Sequence, residues 1–480
     1  MSSRPGATPK PMACALGALA FLLAVSLRVH AEAAPDAAAP LADAQGRRPN
    51  VLLVTVDTLR ADHLGAYGYA VPTSPEIDRI AAEGVLFTRA ITPVPTTAPA
   101  LASLVTAQHV DVHRVRGNTS ELDGELATLG EAFAAAGYAT AGFFGNGAIR
   151  EGFGQGLSTW EPFDPSYFSH DAVGTKKALA WLTQAKEPWF LWIHFMDPHG
   201  PYNSSPPAKS ASFTYPADAA LDREIPVSDK NAIFGEVPRY QKLRGTKRVV
   251  DWVRRYDGEI LGTDEEVGSL RRALEERGLL DRTLIVVTAD HGESLGEDDY
   301  FFQHGSLLNE ASLRIPLVLR HPKLPAGRKI DAPASLIDVF PTLSSLLALS
   351  PPAKGSSGRD LGPAILDEEG GEAREDEERI DLVYNVTPAR LVAVRSEAFE
   401  LRGTPAQGER PNEQFERLDL FRVDGATKKA VSLDEHTEVV AKLRPVLETA
   451  GRRLGALAER PQREPSKEER DRLRALGYVD

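Results

Sequence analysis

The sequence has only one cysteine, Cys14, among its 480 residues. Because this residue stands close to the amino terminus, the rest of the chain offers no disulfide, thiolate metal site or cysteine nucleophile. Basic residues are fewer than acidic ones: the chain has 55 Lys and Arg and 68 Asp and Glu, which gives a formal charge of −13. A net acidic surface argues against nucleic acid or an anionic membrane as the main partner.

Apolar residues form no run long enough for a typical transmembrane helix. The run from 13 to 27 holds about 15 residues, whereas a spanning helix needs about 20. Arg4 and Lys10 precede this run and small alanines follow it, which is the order of a secretory signal peptide. We predict a signal peptide over 1–33 and a secreted or periplasmic protein. An uncleaved membrane anchor formed by the same segment is the alternative.

Composition divides the remaining chain into four parts. Residues 34–49 are rich in Ala and Pro and lack periodicity, which predicts a linker. Alternating strand and helix patterns over 50–350 predict one large domain. An acidic linker or loop is predicted over 351–382. Short strand patterns and a long helical pattern over 383–480 predict a C-terminal α+β subdomain with a small antiparallel sheet and a helix.

Four runs of apolar and β-branched residues predict buried parallel strands, and helical patterns separate them. The runs are NVLLVTVD (50–57), FLWIHFMD (190–197), TLIVVTAD (283–290) and IPLVLRHP (315–322). The alternation predicts an α/β fold with a doubly wound, mixed and mostly parallel sheet flanked by helices. Ligands of such sheets bind beyond the carboxyl ends of the strands. Asp57, Asp197 and Asp290 end three of the runs, so we expect them at one rim.

Histidines accompany these aspartates. "VVTADHGESLGED" places His291 beside Asp290, "HFMDPHGPY" contains Asp197 and His199, and "FFQHGS" adds His304. Taken singly, each histidine could serve only the structure, but together they are predicted to face one rim. Carboxylates and imidazoles are ligands for hard or borderline divalent cations. The irregular insertion over 203–243 is long enough to be a lid or a mobile excursion.

These motifs, together with "NVLLVTVDTLRADHLGAYG" and the ending "DRLRALGYVD", resemble the sulfatase family of the alkaline phosphatase superfamily over residues 49–350. The resemblance implies a divalent metal ion held by Asp57, Asp290 and His291. It also implies that His199 and His304 contact the sulfate or phosphate group or protonate the leaving oxygen. Asn118 matches an Asn that lies near the transferred group in phosphonate- and phosphodiester-cleaving relatives. Its Asn-x-Thr sequon leaves a surface loop as the alternative.

The chain departs from the family at the position of the formylglycine precursor, where Thr97 replaces Cys or Ser. Leu101 stands where the family has an Arg that binds the anion. Superfamily relatives such as nucleotide pyrophosphatase/phosphodiesterases use an unmodified Thr on the metal, which implies that Thr97 is a hydroxyl nucleophile. At a helix start, free backbone N–H groups would favour an anion beside this hydroxyl. A plain helix N-cap is the alternative for Thr97.

A second departure is Thr58, where many sulfatases have another Asp ligand. With fewer carboxylates and one nitrogen, we expect Mn²⁺ or Zn²⁺ to compete well with Ca²⁺. Arg60 is predicted either to neutralise a substrate anion or to lie on a helix surface. Asp197 is predicted to orient His199, with metal binding as its alternative.

The sequence thus predicts a metal-dependent hydrolase of sulfate or phosphate esters. Its substrate would be a small molecule or glycan ester, and Thr97 would allow phosphodiester or phosphonate ester cleavage. The alternative is a catalytically degenerate homologue that binds an anionic ligand or glycan without turnover.

Overall fold

The structure is a computed structural model that describes most of the chain from residue 39 onward. The described residues are 39–149, 151–163, 171–230, 234–353, 355–367, 379–385, 391–405, 415–424, 427–458, 466, 467 and 470. The predicted signal peptide and residues 34–38 of the predicted linker lie outside them. In the described part of the chain, no helix is long and apolar enough to cross a membrane.

The described strands fall into three sheets. They are β1 (Asn50–Val56), β2 (Val85–Ile91), β3 (Ala139–Phe144), β4 (Thr159–Pro162), β5 (Trp189–Phe195), β6 (Thr283–Ala289), β7 (Ser294–Leu295), β8 (Phe301–Gln303), β9 (Leu317–Arg320), β10 (Arg328–Ser335), β11 (Asp381–Tyr384), β12 (Val392–Arg395), β13 (Phe399–Pro405), β14 (Phe415–Asp424) and β15 (Thr427–Val431). The main sheet has eight strands in the order β10-β2-β9-β6-β1-β5-β3-β4.

The described α-helices range from one turn to 28 residues. They are α1 (Pro75–Ala82), α2 (Thr97–Thr106), α3 (Val110–His113), α4 (Leu129–Ala135), α5 (Asp171–Leu182), α6 (Ala219–Asp222), α7 (Val249–Glu276), α8 (Glu310–Leu313), α9 (Val339–Leu347), α10 (Gly362–Leu366) and α11 (Thr437–Ala458). The longest, α7, contains 28 residues. The predicted α/β class, with a mixed and mostly parallel sheet, is confirmed.

The central strands bring the predicted rim together. β1 pairs in parallel with β5 on one side and with β6 on the other. Val56 is level with Phe195 and with Ala289. Asp57 and Asp290 therefore leave adjacent strands at the same height. We call the edge beyond these strand ends the carboxyl rim.

One strand direction was predicted wrongly. The run IPLVLRHP contains β9, which is antiparallel to both β6 and β2. A strand that is buried on both faces has the same apolar pattern in either direction, so the pattern does not show whether the strand is parallel or antiparallel to its neighbours. The length of the connection to the preceding strand determines its direction. Between β6 and β9 the chain forms only the β7–β8 hairpin and the short α8, with no crossover helix, so it re-enters the sheet at the carboxyl rim.

Part of the described segment 39–49 of the predicted linker packs on the main domain. Leu41 is buried, and its N–H donates to the carbonyl of Leu346 in α9 at 3.3 Å. The acidic stretch lies largely outside the described residues, but Arg379 at its end is buried. The guanidinium of Arg379 pairs with Asp338 and with Asp381, each at 2.6 Å. This pairing ties the start of the C-terminal subdomain to the main domain.

The C-terminal subdomain has the predicted small antiparallel sheet, with five strands in the order β11-β12-β13-β14-β15, followed by α11. Glu400 on β13 is fully buried. It accepts from Lys428 at 2.8 Å and from Arg402 at 3.0 Å. Burial opposes ionisation, but these cations and Arg395 outweigh it and lower the pKa of Glu400 to about 2.

Replacing Glu400 with glutamine should lower the free energy of unfolding at pH 7 by about 3–5 kcal/mol, because two partly buried cations, Arg402 and Lys428, lose a fully buried charge partner. A carboxyl whose pKa falls on folding stabilises the fold above its unfolded value, about 4.3. The difference between wild type and Glu400→Gln should therefore shrink between that pH and about 2. Urea denaturation at several pH values measures it. Asp419→Asn, in the exposed pair with Arg417, is the control, with a loss of at most about 1 kcal/mol. Equal losses in both variants would contradict the argument.

Candidate active site

Helix α2 presents Thr97 at the carboxyl rim. The helix begins at Thr97, and its N-cap is the preceding residue, Thr96, whose backbone is extended. The alternative that Thr97 is the N-cap is therefore wrong. Thr97 is fully buried, and its hydroxyl oxygen lies 3.4 Å from Nε2 of His291. The hydroxyl thus lies beside the pair that was predicted to bind metal.

The start of α2 offers an anion fewer N–H groups than expected. The N–H of Ala98 donates to Oδ1 of Asn118 at 2.9 Å, and Pro99 has no N–H. Asn118 is buried, with 7% of its surface exposed, so the surface-loop interpretation of its sequon is wrong. The same hydrogen bond fixes Asn118 beside the residue that follows Thr97, which agrees with a position near the transferred group.

Three buried side chains form a group that could hold a metal ion. Asp57, His194 and Asp290 each offer one ligand atom, and these atoms lie within 4.8 Å of one another. Oδ1 of Asp57, Oδ2 of Asp290 and Nε2 of His194 are buried without a hydrogen-bond partner. Buried polar atoms are normally paired, so unpaired atoms that converge on one point fit a bound cation.

His291 lies against the same group. Its Nε2 is 3.4 Å from Oδ2 of Asp290 and 3.8 Å from Oδ1 of Asp57. Its Nδ1 faces the carbonyl oxygen of Gly292 at 2.9 Å, which fixes the ring. The three predicted ligands therefore meet at the carboxyl rim. The donor set of two carboxylates with imidazole nitrogen suits a borderline divalent cation.

Charge within the group is unbalanced without a cation. Burial opposes ionisation of Asp57, but His199, His194 and His291 together lower its pKa. Burial and the charge of Asp57 raise the pKa of Asp290 well above its usual range. Burial also lowers the pKa of His291 to about 3. The neutral imidazole keeps a lone pair available for a ligand bond.

His304 is held by a buried acid. Its Nδ1 lies 3.1 Å from Oε1 of Glu293, and the hydroxyl of Tyr202 donates to Oε2 of Glu293 at 3.1 Å. Burial lowers the pKa of His304, but Glu293 outweighs burial and raises it above its ordinary value. His304 is therefore suited to bind an anion or to give up a proton.

His199 lies next to His304, with ring centroids 5.1 Å apart. Its Nδ1 is 2.7 Å from the carbonyl oxygen of Gly200. The carbonyl of Gly200 thus orients the ring at Nδ1, and the orienting role of Asp197 stays a prediction. Oδ1 of Asp197 accepts from the N–H of Asp171 at 3.3 Å. Burial is the main cause that lowers the pKa of His199.

The structure shows the surroundings of the two residues that depart from the family, Leu101 and Thr58, and of Arg60. Leu101 is fully buried in the core, so no cation replaces the missing Arg there. Thr58 has a left-handed backbone, with φ 56°, and its hydroxyl donates to the carbonyl of Asp57 at 2.8 Å. Arg60 does not lie on a helix surface, and two acidic side chains already neutralise its charge. It is buried and pairs with Asp62 at 2.8 Å and with Glu297 at 2.7 Å.

Sequence reasoning missed three side chains of this site. His194 sits inside the apolar strand β5, Glu293 follows Asp290 by three residues, and Asn146 follows β3. The Nδ2 of Asn146 donates to Oδ2 of Asp57 at 2.5 Å. A lone histidine in an otherwise apolar strand was the available signal for His194. Asn146 could not be found because its strand was not predicted.

Similarity to known proteins identifies the family. A family model described as Sulfatase matches residues 49–349. The chain belongs to the sulfatase family. A curated relative named Sulfatase, from Formosa agariphila, is 26% identical over 65% of this chain and 71% of its own length. The resemblance and the prediction of a sulfatase-family ester hydrolase are thereby confirmed.

Solved structures give the same fold. A protein in complex with its substrate D-glucosamine-2-N,6-O-disulfate superposes with a TM-score of 0.70 at 20% identity, covering 85% of this chain and 98% of the other. The phosphonate monoester hydrolase of Agrobacterium radiobacter gives 0.62 at 22% identity, covering 86% and 95%. These likenesses confirm the alkaline phosphatase-like architecture. The role of Thr97 stays a prediction.

Proposed function

We propose that this sulfatase-family hydrolase uses unmodified Thr97 as its nucleophile and cleaves phosphate diesters or phosphonate monoesters at least as well as sulfate monoesters. The observation that carries the proposal is the position of the Thr97 hydroxyl, 3.4 Å from His291 and at the start of α2. A hydroxyl beside an imidazole that itself lies against two carboxylates is placed for activation by a cation held there.

In the proposed reaction, Asp57, Asp290 and His291 would hold a divalent cation, which would lower the pKa of the Thr97 hydroxyl and polarise the ester oxygen. The Thr97 hydroxyl gives its proton to solvent, its Oγ1 forms a bond to phosphorus or sulfur, and the bond to the leaving oxygen breaks. The proton of His304 goes to that oxygen. Water then hydrolyses the threonine ester and releases the acid product.

Two further side chains contact the ester group, and a third acts through His304. Asn118 has its carbonyl engaged by Ala98, so its NH₂ group is the donor it can offer to an anionic oxygen. His199 lies beside His304 and contributes a second imidazole contact. Glu293 raises the pKa of His304, which favours the charged form that gives up the proton. Together these groups do part of the work of the missing Arg.

A substrate panel tests the proposal. We expect kcat/KM for phosphate diesters or phosphonate monoesters to equal or exceed that for sulfate monoesters, because the usual sulfate route in the family needs an aldehyde that threonine does not form. Intact-mass analysis should show the genetically encoded mass at Thr97. Strong preference for sulfate monoesters together with a modified residue at this position would contradict the proposal.

A small molecule or a glycan could carry the ester. The structural relative bound to a glucosamine disulfate supports a glycan, and the phosphonate monoester hydrolase supports a smaller ester. The loss of the Arg at Leu101 favours a second function, a degenerate homologue that binds an anionic ligand without turnover. Binding of a sulfated sugar without hydrolysis of any ester in the panel would select that function.

Export is part of the proposal. The basic start, apolar run and alanines of residues 1–33 are those of a cleaved signal, so the mature chain should begin near Glu32 to Ala34. N-terminal sequencing of the protein from a periplasmic or culture fraction measures this. A mature chain that still begins at Met1 or Ser2 would favour the membrane anchor instead.

A further inference from the structure

We propose that His194 is a fourth protein ligand of the metal ion, so that the site holds two carboxylates and two imidazoles and prefers Zn²⁺ to Ca²⁺. The inference rests on the metal site of the proposed function and not on turnover. Thr58 leaves one ligand position open, because its hydroxyl donates to the carbonyl of Asp57. We assign this position to His194 on strand β5.

The position of His194 carries the first step. It is fully buried on β5, and its Nε2 lies 3.5 Å from Oδ2 of Asp57. Its ligand atom lies within 4.8 Å of those of Asp57 and Asp290, as one ion requires. The Nε2 atom has no hydrogen-bond partner, although it is buried among acceptors that a cation would satisfy.

Hydrogen bonding around Thr55 allows the tautomer that a metal ligand needs. Oγ1 of Thr55 accepts from the indole Nε1 of Trp192 at 2.9 Å, and its own hydrogen can go to the carbonyl of Ile193, 3.5 Å away. Nδ1–H of His194, 2.9 Å from Oγ1, can then donate to the remaining lone pair of this oxygen. In that tautomer Nε2 of His194 keeps a lone pair, and the hydrogen bond to Thr55 fixes the ring as in metal-binding imidazoles.

The lone pair on Nε2 of His194 then faces the carboxylate of Asp57, and the two repel each other unless a cation lies between them. His291 lies outside the group whose ligand atoms are within 4.8 Å of one another, but its Nε2 is 3.4 Å from Oδ2 of Asp290 and 3.8 Å from Oδ1 of Asp57. Binding of both imidazoles to one ion therefore requires these side chains to draw together, and nitrogen then supplies two of four protein ligands. Imidazole nitrogen suits Zn²⁺ better than Ca²⁺, which takes six to eight oxygens. Replacing the lost oxygen at Thr58 by nitrogen at His194 therefore shifts the preference of the site.

X-ray absorption of the full chain loaded with one equivalent of Zn²⁺ tests the proposal by counting imidazoles. We expect two in the wild type, one in His194→Asn, and two in His199→Asn and His304→Asn. One imidazole in the wild type would overturn the proposal. So would loss of an imidazole in His199→Asn or His304→Asn but not in His194→Asn. If His194→Asn does not fold, the counts in the other three proteins still decide, because His291 supplies only one.

Chelator competition gives a second readout. Zn²⁺ affinity should fall more than about tenfold in His194→Asn, whereas Ca²⁺ affinity should change less. Thr58→Asp should raise Ca²⁺ affinity, since Asp tolerates a left-handed backbone and adds an oxygen. Equal loss of both affinities in His194→Asn would contradict a ligand role. Two imidazoles at zinc without hydrolysis of any ester would refute the proposed function and leave this inference standing.

Discussion

Thr97→Ala is expected to lower kcat by at least about 10³-fold while the protein stays folded, because loss of a covalent nucleophile removes the step that makes the intermediate. The fold should tolerate the change. Thr97 is the first residue of α2 and not its cap, and alanine is a better helix former than threonine. Thr97→Ser keeps the hydroxyl and should retain measurable turnover. Steady-state kinetics with a phosphate diester measures all three proteins.

Thr96→Ala is the matched control for this prediction. Thr96 is the adjacent hydroxyl residue and the N-cap, and its side-chain oxygen makes no capping hydrogen bond. Its removal should leave kcat close to the wild-type value. Circular dichroism and thermal melts confirm that each variant is folded. Hydrolysis that survives in Thr97→Ala would instead point to a water molecule as the attacking group.

The location of the site could be predicted from sequence because parallel strands share their carboxyl edge. Asp57 and Asp290 each follow a strand by one residue, and the register of β1 with β6 makes them neighbours. The direction of a strand was harder to predict from the sequence. β9 has the same apolar pattern as β1, and only its short connection from β6 makes it antiparallel.

Side chains that act on the site from within other elements could not be predicted. His194 reads as part of a buried strand, and its contact with Asp57 depends on the pairing of β5 with β1. The Asn118 amide is 20 residues from Ala98 along the chain, so its hydrogen bond to α2 follows only from the path of the intervening loop. Arg60 was placed wrongly for the same reason, because its acidic partner Glu297 lies 237 residues away along the chain.

Removing the metal ion is expected to abolish hydrolysis, and adding Zn²⁺ or Mn²⁺ should restore it. Asp290→Asn tests the same site within the chain. Oδ1 of Asp290 accepts the N–H groups of Thr58 at 3.2 Å and His291 at 2.8 Å. Asparagine keeps a carbonyl oxygen for these two donors, whereas Asp290→Ala leaves them unpaired at a cost of about 1–3 kcal/mol. Asp290→Asn should therefore fold, lack activity and bind metal weakly.

Thermal melts separate this explanation from simple damage to the fold. A ligand at 100 times its Kd stabilises the folded state by about 2.7 kcal/mol, so metal should raise the Tm of the wild type but not that of Asp290→Asn. Without metal, the Tm of the wild type should no longer exceed that of Asp290→Asn. The wild type then buries the carboxyl groups of Asp57 and Asp290 side by side, and the neutral amide removes their mutual repulsion. The metal-free Asp290→Asn protein should melt at or above the metal-free wild type. Full activity in a metal-free wild-type sample, or a metal-free variant that melts well below wild type, would show that these carboxylates serve the fold and not the cation.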